Sequence, residues 1–195
     1  MTDISVSSAK AGLCDPVDIS GHHNNKAISA ATETKAGAFN VWGNSFAAEY
    51  LPAGGSIVEV DGVPFRFPQA GDGPDNIRTA GQFITVPEGR YDWIHLLAAS
   101  ERRTEDCMDL SFADGSVDAE KVRVSDFWGA PAWFGEVKAF ESLTMHYPHH
   151  VQRGVPAMMW AQRVPVTRRA VLSGILLPRN VALHIFAVTL QRTEG

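Results

Sequence analysis

Along this chain apolar positions recur with a period of two, and the 3.6-residue period of a helix is almost absent. Val63, Phe65 and Phe67 alternate with Pro64 and Arg66, and Met108, Leu110 and Phe112 alternate with Asp109 and Ser111. Successive side chains of a strand point to opposite faces, so each run offers one face to a core and one to water. Further strand-length runs cover residues 56–60, 78–86, 91–98, 121–124, 157–164, 171–177 and 183–190. Turn chemistry separates them. Asp61-Gly62 between two β-rich runs predicts a hairpin through a type I′ turn, which needs positive φ at both central residues. Pro87-Glu88-Gly89, Asp114-Gly115 and Pro178-Arg179-Asn180 predict three more turns. Pro64 and Pro68 cannot donate to a ladder, so the second arm of the hairpin is expected at an edge. Residues 45–51 are expected to make one turn at most. The pattern predicts an all-β protein: an antiparallel jelly-roll sandwich of about nine strands with little or no helix, folded around a ligand-sized pocket. The expected organisation is a flexible polar segment over residues 1–15 and one β-sandwich domain over 16–192.

Composition narrows the partners. The 195 residues carry a net charge of −5, and the only basic clusters are the pairs Arg102-Arg103 and Arg168-Arg169. A phosphate-backbone binder needs a basic stripe, so no nucleic acid is expected. A chain of this length buries roughly 70% of its unfolded surface and needs no staples. Cys14 and Cys107 form neither a disulfide framework nor a CxxC pair, which suits a reducing compartment. The N-terminus has no basic region leading into an apolar one, and no apolar run reaches membrane-spanning length. A cytoplasmic protein without membrane contacts is therefore expected.

Known catalytic motifs are absent. There is no GxSxG, no GxxxxGK[ST], no HExxH and no GxGxxG opening a helix, and no cofactor is expected. The one histidine cluster is His146-x-x-His149-His150. On a strand 146 and 150 would share a face, but Pro148 interrupts the run, so a loop is expected there. Such a loop could be merely solvated, hold a metal, or present an acid/base group to a substrate; no metal is assigned. His22-His23 reads as a turn and His184 as a satisfied residue in an apolar strand. Asp72-Gly73-Pro74-Asp75-Asn76 is either an Asx turn or an oxygen-rich loop suited to Ca²⁺. The densest signal is aromatic. Trp128, Trp133 and Trp160 lie close in sequence, with Phe134 and Met158 among them, and Ala157-Met158-Met159-Trp160 is apolar on both strand faces. One face would meet the core and the other a pocket; Trp and Met suit the wall of a small-molecule site.

A series of short strings has a familiar order: Val17-Asp18-Ile19-Ser20 with Asn24-Asn25, Glu49-Tyr50-Leu51-Pro52, Gly62-Val63-Pro64-Phe65, Asp75-Asn76 with Gly81-Gln82, Pro87-Glu88-Gly89-Arg90-Tyr91, Ala113-Asp114-Gly115-Ser116, Ser125-Asp126-Phe127-Trp128 and Leu183-His184-Ile185-Phe186-Ala187. Together, over about residues 17–190, it resembles the galactose-binding-like β-sandwich modules appended to bacterial glycoside hydrolases such as some α-L-fucosidases. The resemblance implies a jelly roll and a carbohydrate-binding function, with Trp42, Asn44, Glu49, Asn76 and Gln82 as contacts. The chain shows neither an export signal nor a catalytic partner domain, which favours another reading: a stand-alone enzyme of specialised metabolism. It would fold a largely apolar, polyketide-like substrate for a cofactor-free cyclisation or cycloaddition. Holding reacting atoms in contact can supply roughly 7–11 kcal/mol. Trp128, Trp133, Phe134, Met158 and Trp160 would form the walls, and His146, Tyr147 and Glu136 the polar groups. A protein-binding sandwich and a homodimer remain further options.

Overall fold

Ile94, Leu96 and Ala98 alternate with Leu97 and Ala99, and all five are buried. A strand that is apolar on both faces needs cover on both sides, and this one lies at the centre of the molecule. The computed structural model describes residues 13–71 and 73–193. In chain order its strands are β1 (Cys14–Val17), β2 (Ile28–Ser29), β3 (Ser45–Ala47), β4 (Ile57–Val60), β5 (Val63–Arg66), β6 (Ile77–Arg78), β7 (Phe83–Gly89), β8 (Tyr91–Ser100), β9 (Thr104–Phe112), β10 (Val117–Val124), β11 (Val137–Tyr147), β12 (His150–Pro165), β13 (Leu172–Leu176) and β14 (Leu183–Arg192). No α-helix occurs among the described residues; three single 3₁₀ turns cover Ser20–His22, Thr34–Ala36 and Ala48–Tyr50.

These strands make a β-sandwich. An eight-stranded sheet runs β1-β14-β8-β12-β11-β3-β2, with β6 also paired to β14. A four-stranded sheet runs β10-β9-β13-β7, and β4 and β5 form a two-stranded sheet of their own. Strand pairs are antiparallel except β2 with β3. The large sheet has a core on each side. Towards the four-stranded sheet it sends Ile94, Leu96, Met158, Trp160 and Ile185, which pack with Met108, Leu110, Phe112 and Ile175. Towards the other side it sends Leu97, Ala99, Met159 and Phe186, covered by Phe39, Phe46, Phe127 and the hairpin residues Val63, Phe65 and Phe67. A bulge between Ile185 and Ala187 in β14 flips the phase of that strand. Ile185 and Val188 therefore face one core while Phe186 and Ala187 face the other.

Several expectations are met and several change. Asp61 (φ 51°) and Gly62 (φ 73°) turn the β4–β5 hairpin as a type I′ turn requires. Among the described residues there are fourteen strands and not about nine. The run 78–86 is two strands: Thr79 to Gln82 leave the eight-stranded sheet before β7 enters the four-stranded one. Pro87-Glu88-Gly89 is no turn; β7 continues to Gly89 and the chain changes sheets at Arg90. Tyr91 holds that corner. Its hydroxyl donates to the Pro87 carbonyl (2.9 Å), and its ring lies where a Cβ on residue 89 would sit, only 2.9 Å from the ring atoms. Glycine at 89 is what lets the ring close over the corner. The hydroxyl's bond is part-buried, so Tyr91→Phe is expected to cost about 1 kcal/mol. Chemical denaturation should show this as a lower midpoint with unchanged slope; an unchanged midpoint would remove the corner bond from the account.

Candidate functional site

The parallel pair β2–β3 and the antiparallel pair β3–β11 bring three polar side chains together. Ser29 pairs with Ala47 and Ser45 pairs with His146. Ser45 Oγ and Ser29 Oγ are 2.7 Å apart, and Ser29 Oγ is 2.9 Å from His146 Nδ1. On the other side of the ring, Nε2 lies 3.6 Å from Glu49 Oε1, which comes from the 3₁₀ turn after β3. Ser29, Ser45 and His146 are buried. One tautomer suits all of these positions: Nδ1 accepts from the Ser29 hydroxyl, and Nε2–H faces the Glu49 carboxylate. The Nε2–Glu49 separation exceeds a hydrogen bond and is an ion-pair distance once the ring is protonated.

Local sequence explains the placement. A two-residue strand has little stability alone, and Asp75 pins β2 by accepting from the backbone N–H groups of Ala27 (2.8 Å) and Ile28 (2.9 Å). Burial pushes the Asp75 carboxyl above its usual range, and these backbone donors, with Asn76, pull it partly back. Asn76 in turn accepts from His184 Nδ1 (2.8 Å) and donates to the Asn25 carbonyl (3.0 Å). Gly37 makes room for the relay: a Cβ there would lie 2.2 Å from Ser45 Oγ. Ser29 forms part of the wall of a cleft of about 220 Å³, together with Lys26, Glu33, Ala36, Ala48 and Ala70. Lys26 Nζ donates to the Gly71 carbonyl at the rim.

Of the residues expected to act, His146 and Glu49 come together, although the sequence placed them in different readings. His146 is on a strand and not in a loop; Pro148 sits in the turn between β11 and β12. Tyr147, the next residue along β11, stacks on His150 with ring centroids 4.9 Å apart. Both Glu136 oxygens accept backbone N–H groups, from Ser125 and from Phe134 (2.8 Å each), so this buried carboxylate ties a loop. Met158 and Trp160 belong to the core, and the Trp160 indole N–H donates to the Asp126 carbonyl (3.0 Å). Trp128 and Trp133 are 53% and 57% exposed, the second under the Arg103 guanidinium. Phe134 lines a separate open cleft of about 570 Å³. Trp42 is exposed on a turn, and the Gln82 side chain is spent on Ala80 N–H and the Arg78 carbonyl. Asn44 and Asn76 are buried and offer no surface contact. Asp72 lies outside the described residues, and among those described no group of three His, Cys, Asp or Glu side chains could hold a metal ion. Sequence reading missed Ser29 and Ser45 altogether.

A family model described as an AziU2-like beta-sandwich domain matches residues 13–194. The match supports a β-sandwich module and does not extend to the galactose-binding-like or fucosidase kinship. No curated protein matches the chain.

Proposed function

Because the chain belongs to the AziU2-like β-sandwich family, we propose that it is an enzyme of specialised metabolism that closes a ring without a cofactor, using Ser29, His146 and Glu49 to move one proton. The observation that carries this reading is the chain Glu49–His146–Ser29 ending at the wall of a cleft. In the ring closure an O–H or N–H group of the substrate adds to an activated double bond in the same molecule. The substrate's proton passes to Ser29 Oγ as the serine proton passes to His146 Nδ1. The new bond forms, the π pair moves to the far carbon, and the proton returns there. The product is an isomer of the substrate, and no oxidant or reductant is consumed. Glu49 at 3.6 Å stabilises the imidazolium while it lasts. A cleft of about 220 Å³ is smaller than a typical drug-sized site, so a short reactive segment of a polyketide-like chain enters it and the rest stays outside.

The test is a turnover assay on linear precursors bearing a hydroxyl or amine and a conjugated carbonyl. Mass spectrometry would show a mass-neutral product with a new retention time. Ser29→Ala and His146→Gln are each expected to lower the rate by about 10²- to 10⁴-fold, the usual share of general acid–base catalysis. Their thermal midpoints separate lost chemistry from lost fold. Ser29→Ala that folds and turns over at the parent rate would sink the reading.

Exposed Trp128 and Trp133, with Arg103 over the second, favour glycan binding as an alternative. A flat aromatic face beside polar groups suits the apolar face of a sugar. A thermal-shift screen decides between them. A ligand at 100 times its Kd adds about 2.7 kcal/mol. A response to oligosaccharides alone, lost in Trp133→Ala, supports the glycan reading; a response to the precursors alone supports the enzyme.

A further inference from the structure

Two adjoining clefts, of about 180 Å³ and about 570 Å³, share Gly135, Gln162 and Arg163. They form one groove across β12, from Asp61 in the hairpin turn to Lys121 on β10. Arg163 belongs to both halves. Its guanidinium carbon lies 4.4 Å from the centroid of the Trp93 ring on neighbouring β8. The Trp93 ring covers one side of the guanidinium. Among the described residues, no carboxylate or carbonyl accepts from that guanidinium, and none accepts from the Lys121 ammonium. Among the described residues five arginines pair with carboxylates, Arg78 with Glu101, Arg123 with Glu105 and Arg168 with Asp118 among them; Arg163 belongs to the remainder. The acid nearest in sequence to Lys121, Glu120, accepts from the Thr167 hydroxyl (3.1 Å). A chain of net charge −5 thus keeps two uncommitted cations in one groove, beside the aromatic wall of Phe134.

We infer that this groove is a second binding site, for a small metabolite that carries a planar ring and an anionic group, carboxylate or phosphate. Arg163 grips the anion through two parallel N–H donors, Lys121 adds a point charge, and Phe134 covers the ring. The groove shares no residue with the Ser29 cleft, so it stands or falls separately from the ring-closure reading.

The full chain, ¹⁵N-labelled, would be titrated with phenyl phosphate, benzoate and, as an uncharged control, benzamide, following the Trp93 indole resonance. Phenyl phosphate or benzoate is expected to bind and benzamide to bind at least tenfold more weakly; the tighter of the two anions identifies the group. Arg163→Gln is expected to weaken the anion tenfold or more, Lys121→Gln less, and Ser29→Ala not at all. Arg163 and Lys121 are exposed, so both variants keep the parent thermal midpoint. Equal binding of benzamide and the anions, no binding of either anion, or unchanged affinity in Arg163→Gln would each overturn the inference.

Discussion

Trp160→Ala is expected to be among the most damaging single substitutions in this protein, through stability and not through catalysis. The side chain is 2% exposed and packs between the two large sheets. Removing a buried Trp costs about 3–5 kcal/mol, because the lost transfer energy is joined by a cavity that the sheets cannot close. The Asp126 carbonyl also loses its indole donor, which adds on the order of 1 kcal/mol. Against a total stability of about 5–15 kcal/mol this removes about half of it at mid-range and nearly all of it at the lower end. Thermal and urea denaturation followed by circular dichroism would measure it. Trp133→Ala, at an exposed position, is expected to change stability by less than about 0.5 kcal/mol. A Trp160→Ala midpoint within 2 °C of the parent would mean that the two sheets are not packed as described.

The Trp160 region also marks how far the sequence could be read. That Ala157-Met158-Met159-Trp160 is apolar on both faces was legible, and the strand is indeed covered on both sides. What covers the second face was not legible. Phe39 and Phe46 come from loop and three-residue-strand segments about 110 residues away, and no local pattern announces such a contact. Strands with clean alternation, β5 and β9 among them, were visible because period two is a local property. β11 was not, because register shifts between Lys138 and Phe140 and between Ser142 and Thr144 break its alternation and push Leu143 into solvent. The same limit hid half the candidate site. His146 and Glu49 drew notice as chemistry-bearing residue types. Ser29 sits in a two-residue strand set by a parallel pairing and by a carboxylate some 46 residues on, and a lone serine in a polar stretch carries no signal of either.

Lowering the pH from 7 to 5 is expected to destabilise the fold, and the sign follows from two histidines. Burial pushes the His184 imidazole below its ordinary 6.5, against the opposing hydrogen bond and charge of Glu101. His23 is lowered for the same first reason, desolvation. A histidine whose folded pKa is depressed stays neutral in the fold while its unfolded counterpart takes up a proton. Its contribution is whole above pH 6.5 and is lost as the pH falls below that value. Each such proton steepens the loss by up to about 1.4 kcal/mol per pH unit. Glu101 enters only lower. Burial raises Glu101, but the His184 hydrogen bond and Arg78 outweigh it and hold its carboxyl below 4.5, so its contribution is lost as the pH falls below 4.5. Asp75 and Asp126, raised above 3.8 by burial, act oppositely: the folded state protonates them first and recovers part of the loss. The window from pH 7 to 5 therefore reports mainly the histidines. Thermal midpoints across it should fall steadily, and His184→Gln, whatever its own cost, should flatten the slope. A midpoint that is constant or rises as the pH drops from 7 to 5 would mean that His184 charges freely in the fold. The Phe39 ring 4.2 Å from it and the bond to Asn76 could not then both persist as described.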